Sequence, residues 1–372
     1  MTRKIVIVGG GFCGTMVLHH LMQQDGLPPL DIAFYDDHGR HGRGVAYSTP
    51  YSEHLLNVPA GGMSALPDHA DHFVKWLGEG ADPARFYPRM TYGDYLHHFL
   101  DEALALAKTR GHQIRLLTES FPLDAPRNDE IFYIFATGTS QPRWPGGPVP
   151  DDVRLLAHPY GDGIPPFAKG VVILGTGLSA VDAVLTLHKA GYAGKIVCIS
   201  RSGLWSMPHG PKTWPWHWRW YIDSLRPHSN KLWRGLPEGV RNFCLRRVTF
   251  WNVIRHRMPP ECAAIVRNLK KSGQLQTVRG SIAAIKPCPN KIDVVLKSGK
   301  TITGDAVINC LGFIGQHKKP ATALRLSENL WTLGPPLFGH LIETTAVPEL
   351  RHQAKNVAAD IAATLRTREK LR

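Results

Sequence analysis

"IVIVGGGFCG", residues 5–14, runs four β-branched residues straight into three glycines. Valine and isoleucine suit a pleated strand, glycine ends it, and Met16, Val17, Leu18, Leu21 and Met22 follow at helical spacing, so the stretch reads strand, turn, helix. Gly9, Gly11 and Gly14 match the GxGxxG of dinucleotide-binding units. Gly9 permits the tight turn, Gly11 lets the backbone approach a pyrophosphate, and Gly14 lets the helix pack closely on the strand. The helix N-terminus then offers free amides to the phosphates. The next strand, "DIAFYDD", brings Asp36 to its carboxyl end, 22 residues past Gly14, where an acid can bond a ribose hydroxyl.

A near copy, "VVILGTGLSA", occupies residues 171–180 with Gly175, Gly177 and Ala180, followed by Val181, Ala183, Val184 and Leu187 on a helix. Alanine is an accepted third residue of the motif. The strand after it, "KIVCIS", ends at Ser200 and Arg201, where no carboxylate is available. A hydroxyl and an arginine suit a 2′-phosphate, which favours NADPH over NADH. Two nucleotide sites in one chain make sense if one holds FAD and the other docks the nicotinamide that reduces it.

Length and composition agree with this. At 372 residues the chain exceeds the ~250–300 residues at which one core stops growing, so two domains are expected. A hydrophobic share of 43% beside 20% charged residues excludes a disordered chain. The glycines cut the opening apolar run short of a signal peptide, and no stretch is apolar enough to span a bilayer, so the expected location is the cytoplasm. The six cysteines include no CxxC, which argues against a disulfide reductase of the usual kind, and the nineteen histidines show no HExxH or other metal pattern.

"IFYIFATGTSQP", residues 131–142, is a buried strand ending in Ala136-Thr137-Gly138, and "GDAVINCLGF", residues 304–313, repeats the form up to Gly312. With these the chain resembles the flavoproteins that carry two dinucleotide-binding domains. The resemblance is nearer to the bacterial FAD/NAD(P)-binding proteins related to N-hydroxylating and flavin-containing monooxygenases. It is carried by "GRGVAYST" (42–49), "HLLNVPAGGMSAL" (54–66), "RMTYGDYL" (89–96), "GTGLSAVD" (175–182), "SRSGLW" (200–205) and "ETTAVPELRHQA" (343–354). It implies an α/β fold of two Rossmann-like domains, the NAD(P) domain inserted into a discontinuous FAD domain. The expected segments are 1–160 and 285–372 for FAD and 161–284 for NAD(P). Pro- and Gly-rich stretches at 141–150 and 161–170 look like linkers, and the sequence from Ile282 to Cys310 alternates as a β-meander leading into a buried strand.

The resemblance also implies that Gly44, Asn57 and Met63 border the flavin and that Gly138 and Gly312 lie at the cofactor ends of their strands. Tyr92 and Tyr95 are expected in the core. Pro348 and Glu349 mark a helix start, with Thr345 as its cap, and Leu350, Ala354, Val357, Ala358, Ile361, Ala362 and Leu365 line one face. In the resembling family this helix closes the FAD site.

Residues 201–260 carry eleven Lys or Arg against Asp223 and Glu238, hence +9 of the formal +14, and seven of the ten tryptophans, including "WPWHWRWY" at 214–221. This insert reads as a helical cap over the NADP site, a membrane or partner surface, or a nucleic-acid face. Pro215 weakens the membrane reading, and "WNVIRHRMPPE" has a family counterpart, which favours the cap; no specific nucleic acid is expected. The functional expectation is an NADPH-consuming, FAD-dependent monooxygenase, in which a hydroperoxide on reduced flavin hands oxygen to a small-molecule substrate. The alternatives are an NAD(P)H-dependent flavin reductase or oxidase, and a nucleotide sensor without turnover.

Overall fold

The computed structural model describes residues 2–124, 126–138, 144–149, 151–160, 169–210, 224–225, 228–311 and 321–370. Strand β1 (Arg3–Val8) pairs in parallel with β2 (Leu30–Tyr35) on one side and β4 (Phe132–Phe135) on the other. Adding β3 (Gln113–Leu117), β13 (Arg325–Ser327) and β14 (Leu330–Thr332) completes a six-stranded sheet in the order β13-β14-β4-β1-β2-β3. Its inner face, with Ile5, Ile7, Phe34 and Ile134, is covered by helices Phe12–Met22, Arg89–Thr109 and Val347–Lys370. Met16, Val17, Leu18, Leu21 and Met22 are fully buried there, as are Tyr92 and Tyr95. The apolar face expected for the last helix is buried along its whole length, from Leu350 to Leu365.

The second sheet has the order β5-β12-β6-β7-β8, from β5 (Leu155–Leu156), β6 (Gly170–Leu174), β7 (Lys195–Ser200), β8 (Leu275–Arg279) and β12 (Ala306–Asn309). Alternate residues of β6 serve different layers. Val171 and Ile173 face helices Leu178–Lys189 and Pro260–Lys271, while Val172 and Leu174 face the antiparallel meander β9 (Ile282–Pro287), β10 (Ile292–Leu296) and β11 (Thr301–Gly304). The meander follows the alternation of its sequence.

The expected segment boundaries need correction. Strand β5 hydrogen-bonds to β12 and β12 to β6, so residues 155–156 and 306–309 belong to the second sheet. Trp144 and Val149, within the first supposed linker, pack against the core between that sheet and the meander. The first unit therefore gives way to the second between residues 138 and 144, not at 160, and the chain rejoins the first sheet at Arg325, not 285. A parallel Rossmann sheet needs a strand beside the motif strand on the side away from its crossover. In the first unit that strand is β4, and in the second it is β12.

A buried polar network joins the two units. Arg89, the first residue of its helix, pairs with Asp182 in the middle of Leu178–Lys189 at 2.9 Å, and their side chains are 12% and 5% exposed. Arg89 also donates to the Leu55 carbonyl and to the Tyr160 hydroxyl, and Tyr160 lies within hydrogen-bond distance of Asp182 and Ser179. Burial works against the Arg89 charge, but Asp182 and Tyr160 more than offset it and its pKa is raised. Burial pushes the Tyr160 phenol up to about 12, which keeps it a neutral donor. Beside them His54 bridges the units between Thr49 and Thr186, at 2.7 and 2.8 Å.

Two stability predictions follow from this packing. Arg89→Ala leaves the Asp182 carboxylate buried without its cation and is expected to cost about 3–5 kcal/mol in urea denaturation. The double variant Arg89→Met/Asp182→Leu should lose less than that single change, and a larger loss would show that the pair stabilises outright. Burial pushes His19 and His20 of the first helix down to about 4, with His20 and His72 adding to the effect at His19 and Lys355 at His20. Both are neutral when folded, so between about 6.5 and 4 the unfolded chain binds more protons and stability falls as pH drops, by up to about 1.4 kcal/mol per unit for each histidine. His19→Phe should flatten that acid limb in denaturation curves, and an unchanged limb would remove His19 from the account.

Candidate functional site

The two glycine turns are built alike. Gly9 has φ +110° and Gly175 φ +114°. A side chain on Gly9 would overlap the Ala136 carbonyl oxygen, and one on Gly175 the Cys310 carbonyl oxygen. Each thus lies directly against the end of the neighbouring parallel strand. The Gly9 amide donates to the Tyr35 carbonyl at 2.8 Å and the Gly175 amide to that of Ile199 at 2.7 Å. The helices then start after Gly11 (φ −81°, ψ −163°) and Gly177 (φ −82°, ψ −169°), and at neither does a side chain cap the first turn. Helix N-termini left in this way hold unsatisfied amides and the positive end of the dipole toward open space, which is the requirement for an anion cradle.

Around the first turn, Gly14 packs against the Gly9 carbonyl so closely that no Cβ fits. Gly44, at φ +58°, lies over Gly11. Asp36 stands half-buried beside the turn, its carboxylate accepting from the amides of Gly10 (3.1 Å), His38 (3.1 Å) and Arg40 (2.8 Å). It therefore orders the turn and the loop after β2. Gly138, with φ +64°, has open space on its Cβ side. Met63 is buried in the first core, whereas Asn57 lines a cavity described below and accepts at its carbonyl from His209 Nε2 at 2.9 Å.

Around the second turn, Ala180 is fully buried, and a Cβ on Gly177 would meet nothing within 4 Å. Ser200 Oγ accepts from the Gly203 amide at 3.0 Å and lies 2.9 Å from Thr176 Oγ1, so it orders the loop after β7. Arg201 is exposed and makes no ion pair among the described residues. Arg279, opposite Ser200 in the β7–β8 register, is a second exposed guanidinium at this end of the sheet. Gly312 and the stretch 214–221 lie outside the described residues.

The last helix begins at Val347, where the Ala346 carbonyl accepts from Glu349 and Leu350. Thr345 is thus one residue too early to cap it, and its hydroxyl accepts instead from Arg255 at 3.1 Å. That contact belongs to a set joining the basic insert to the segment before this helix. Helices Ser229–Gly235, Glu238–Arg246 and Val248–Arg255 belong to the described part of the insert. Asn230 Oδ1 accepts from the amides of Ile342 and Glu343, Trp233 Nε1 donates to the Gly339 carbonyl, and Arg255 pairs with Glu343 at 3.0 Å with side-chain exposures of 6% and 1%.

Under these helices lies a cavity of about 1020 Å³, walled by the insert, by Asn57–Pro59 of the first unit, by His209 of the second and by Ile342 and Glu343. The described helices of the insert lie over a space between the two units, and Arg255 is held there by Glu343. Burial pushes the Cys13 and Cys262 thiols up to about 12 and raises Cys310 well above its ordinary value, so these three are poor nucleophiles. Among the described residues no group of three His, Cys, Asp or Glu could hold a metal ion, and no helix is long and apolar enough to cross a membrane.

Residues 6–139 match the model of a FAD-NAD(P)-binding family. No curated protein matches the sequence. Solved structures match over nearly the full length. The reduced form of an ornithine hydroxylase from Pseudomonas aeruginosa superposes with a TM-score of 0.66 at 16% identity, covering 98% of this chain and 100% of that one. A FAD-bound cadaverine monooxygenase from Erwinia amylovora gives 0.65 at 11%, covering 98% and 95%. The bacillithiol disulfide reductase of Bacillus cereus gives 0.55 at 16%, covering 98% and 99%. The chain has the two-domain flavoprotein fold.

Sequence reading found both turns but missed what joins and roofs them: Arg89, Asp182, Tyr160, Asn230 and the Arg255–Glu343 pair. Asp182 carried a signal, being a carboxylate inside the apolar run "SAVDAVLTL", where a buried acid demands a partner. Gly14→Ala should destabilise the chain by at least about 2 kcal/mol in urea denaturation, because the helix must move off its strand. Gly177→Ala, with open space and an ordinary φ, should change stability by under about 1 kcal/mol. Equal losses at both would contradict the geometry of the two turns.

Proposed function

We propose that the chain is an FAD-dependent, NADPH-consuming monooxygenase. FAD would sit on the first turn, held by the amides after Gly11 with Gly9, Gly14, Gly44 and Asp36 shaping its cradle, and Gly138 at its edge. NADPH would dock on Gly175, Gly177 and Ala180, with Ser200 ordering the loop and Arg201 meeting the 2′-phosphate. The observation that carries the reading is the pair of turns of the same build, each with a left-handed glycine pressed on the end of the neighbouring strand and a helix start that no side chain caps. Bound there, the coenzymes supply hydride transfer and oxygen activation. The chain would supply position: the buried Arg89–Asp182 pair fixes one unit against the other. Asn57, Ile342 and Glu343 line the interdomain cavity and would face the flavin.

The raised thiol pKa values of Cys13, Cys262 and Cys310, with no CxxC, support oxygenation over disulfide reduction. The purified protein should be yellow and should bleach on anaerobic mixing with NADPH faster than with NADH. Air should restore the colour, with product carrying labelled oxygen when ¹⁸O₂ is used. Bleaching without label would leave a reductase or oxidase, and no bleaching by either coenzyme would leave a nucleotide sensor. Arg201→Ala should weaken NADPH binding tenfold or more while NADH is little affected. Gly177→Ala should lose both coenzymes while remaining folded.

A further inference from the structure

The walls of the cavity bear on the substrate of the activity proposed above, and the inference drawn here rests on that reading. We infer that the substrate is a bulky, mainly apolar molecule ending in an anionic group such as a carboxylate, rather than a small diamine or cationic amino acid. Three observations converge on this. The space of about 1020 Å³ stands at the top of the range of roughly 300–1,000 Å³ found for small-molecule pockets, far more than a diamine fills.

Its wall beyond the flavin-facing segments is built by the insert and is apolar. Leu225, Leu232, Leu236, Phe243 and Phe250 all line it, and Phe243 and Phe250 are 56% and 62% exposed. Apolar side chains so exposed gain from being covered, at about 25 cal/mol per Å². A short polar amine covers little of them.

The charges point the same way. Among the described residues of the lining, the carboxylate is Glu343, and Arg255 already holds it. An incoming ammonium group would meet no other described acid there, and Arg247 beside it. A carboxylate meets Arg247, which stacks on the Phe243 ring at 3.9 Å with its charge open to solvent at the cavity rim.

Three probes separate these contributions: dodecanoate, dodecyltrimethylammonium and L-ornithine, each titrated calorimetrically below its micellar range into the protein carrying FAD, with NADP⁺ present. Dodecanoate should bind with one-to-one stoichiometry, at least tenfold tighter than the matched cation, and L-ornithine should give no saturable heat up to millimolar concentration. Arg247→Glu, at an exposed position that folding does not depend on, should weaken dodecanoate about tenfold and narrow or reverse the gap to the cation. Leu232→Asp should weaken dodecanoate also. Tighter binding of ornithine than dodecanoate would overturn the inference, as would equal affinity for the two twelve-carbon probes or a stoichiometry well above one. These results are separable from the coenzyme reading. If NADPH bleaches the flavin and ornithine binds, only the substrate class falls; if no flavin is retained, the proposed function itself falls.

Discussion

The whole arrangement depends on a steric constraint met twice: a strand must turn into a helix while the end of its neighbour lies against the turning residue. At Gly9 and Gly175 the left-handed backbone and the adjacent carbonyl leave room for hydrogen alone. This does more than permit the turn. It presses the motif strand against the strand whose end completes the ligand face, β4 in one unit and β12 in the other, and so fixes which later segment of the chain must return to each sheet. The interleaving of the two units follows. The chain leaves the first sheet after β4, builds the second around β6, and can rejoin the first only when β12 has filled the place beside β6.

Two cradles alone do not make a redox site, because coenzymes on separate units must meet. The Arg89–Asp182 pair, with Tyr160 and Ser179 about it, is buried at the junction and draws one partner from each unit. Such a pair contributes little net stability when weighed against apolar residues of the same size, since desolvating both charges offsets most of the attraction. What it contributes is specificity of docking: a sliding or rotated interface would strand a charge. The same reasoning applies to Arg255 and Glu343, which tie the roof of the cavity to the segment that enters the last helix.

What could be read from the sequence was what depends on local pattern. The two turns, the helix faces and the meander rest on spacing along the chain, and the buried sets from Met16 to Met22 and Leu350 to Leu365 follow it. The segment boundaries were misread because they depend on which strand pairs with which, and the composition of a linker such as 144–149 does not reveal that Trp144 packs on a distant core. Thr345 was a reasonable cap by residue type, but the hydroxyl had a stronger claim from Arg255, a residue 90 positions away. Asp36 and Ser200 stood at the expected strand ends, yet their work in ordering the adjacent loops became visible only with the amides that reach them.

The insert shows most clearly how a shared fold is turned to its own chemistry. Its two helices Glu238–Arg246 and Val248–Arg255 bury no side chain fully, although they carry Val240, Phe243, Leu245, Phe250, Trp251 and Ile254. Tethered through Asn230, Trp233 and Arg255, the insert sets Phe243 and Phe250 in the wall of the cavity, where both stay more than half exposed. The two turns obey one backbone constraint and therefore vary little in construction, as their near identity within this one chain shows. Selectivity is then left to the segment that owes nothing to that constraint, and in this chain that segment is the arginine-rimmed, apolar roof.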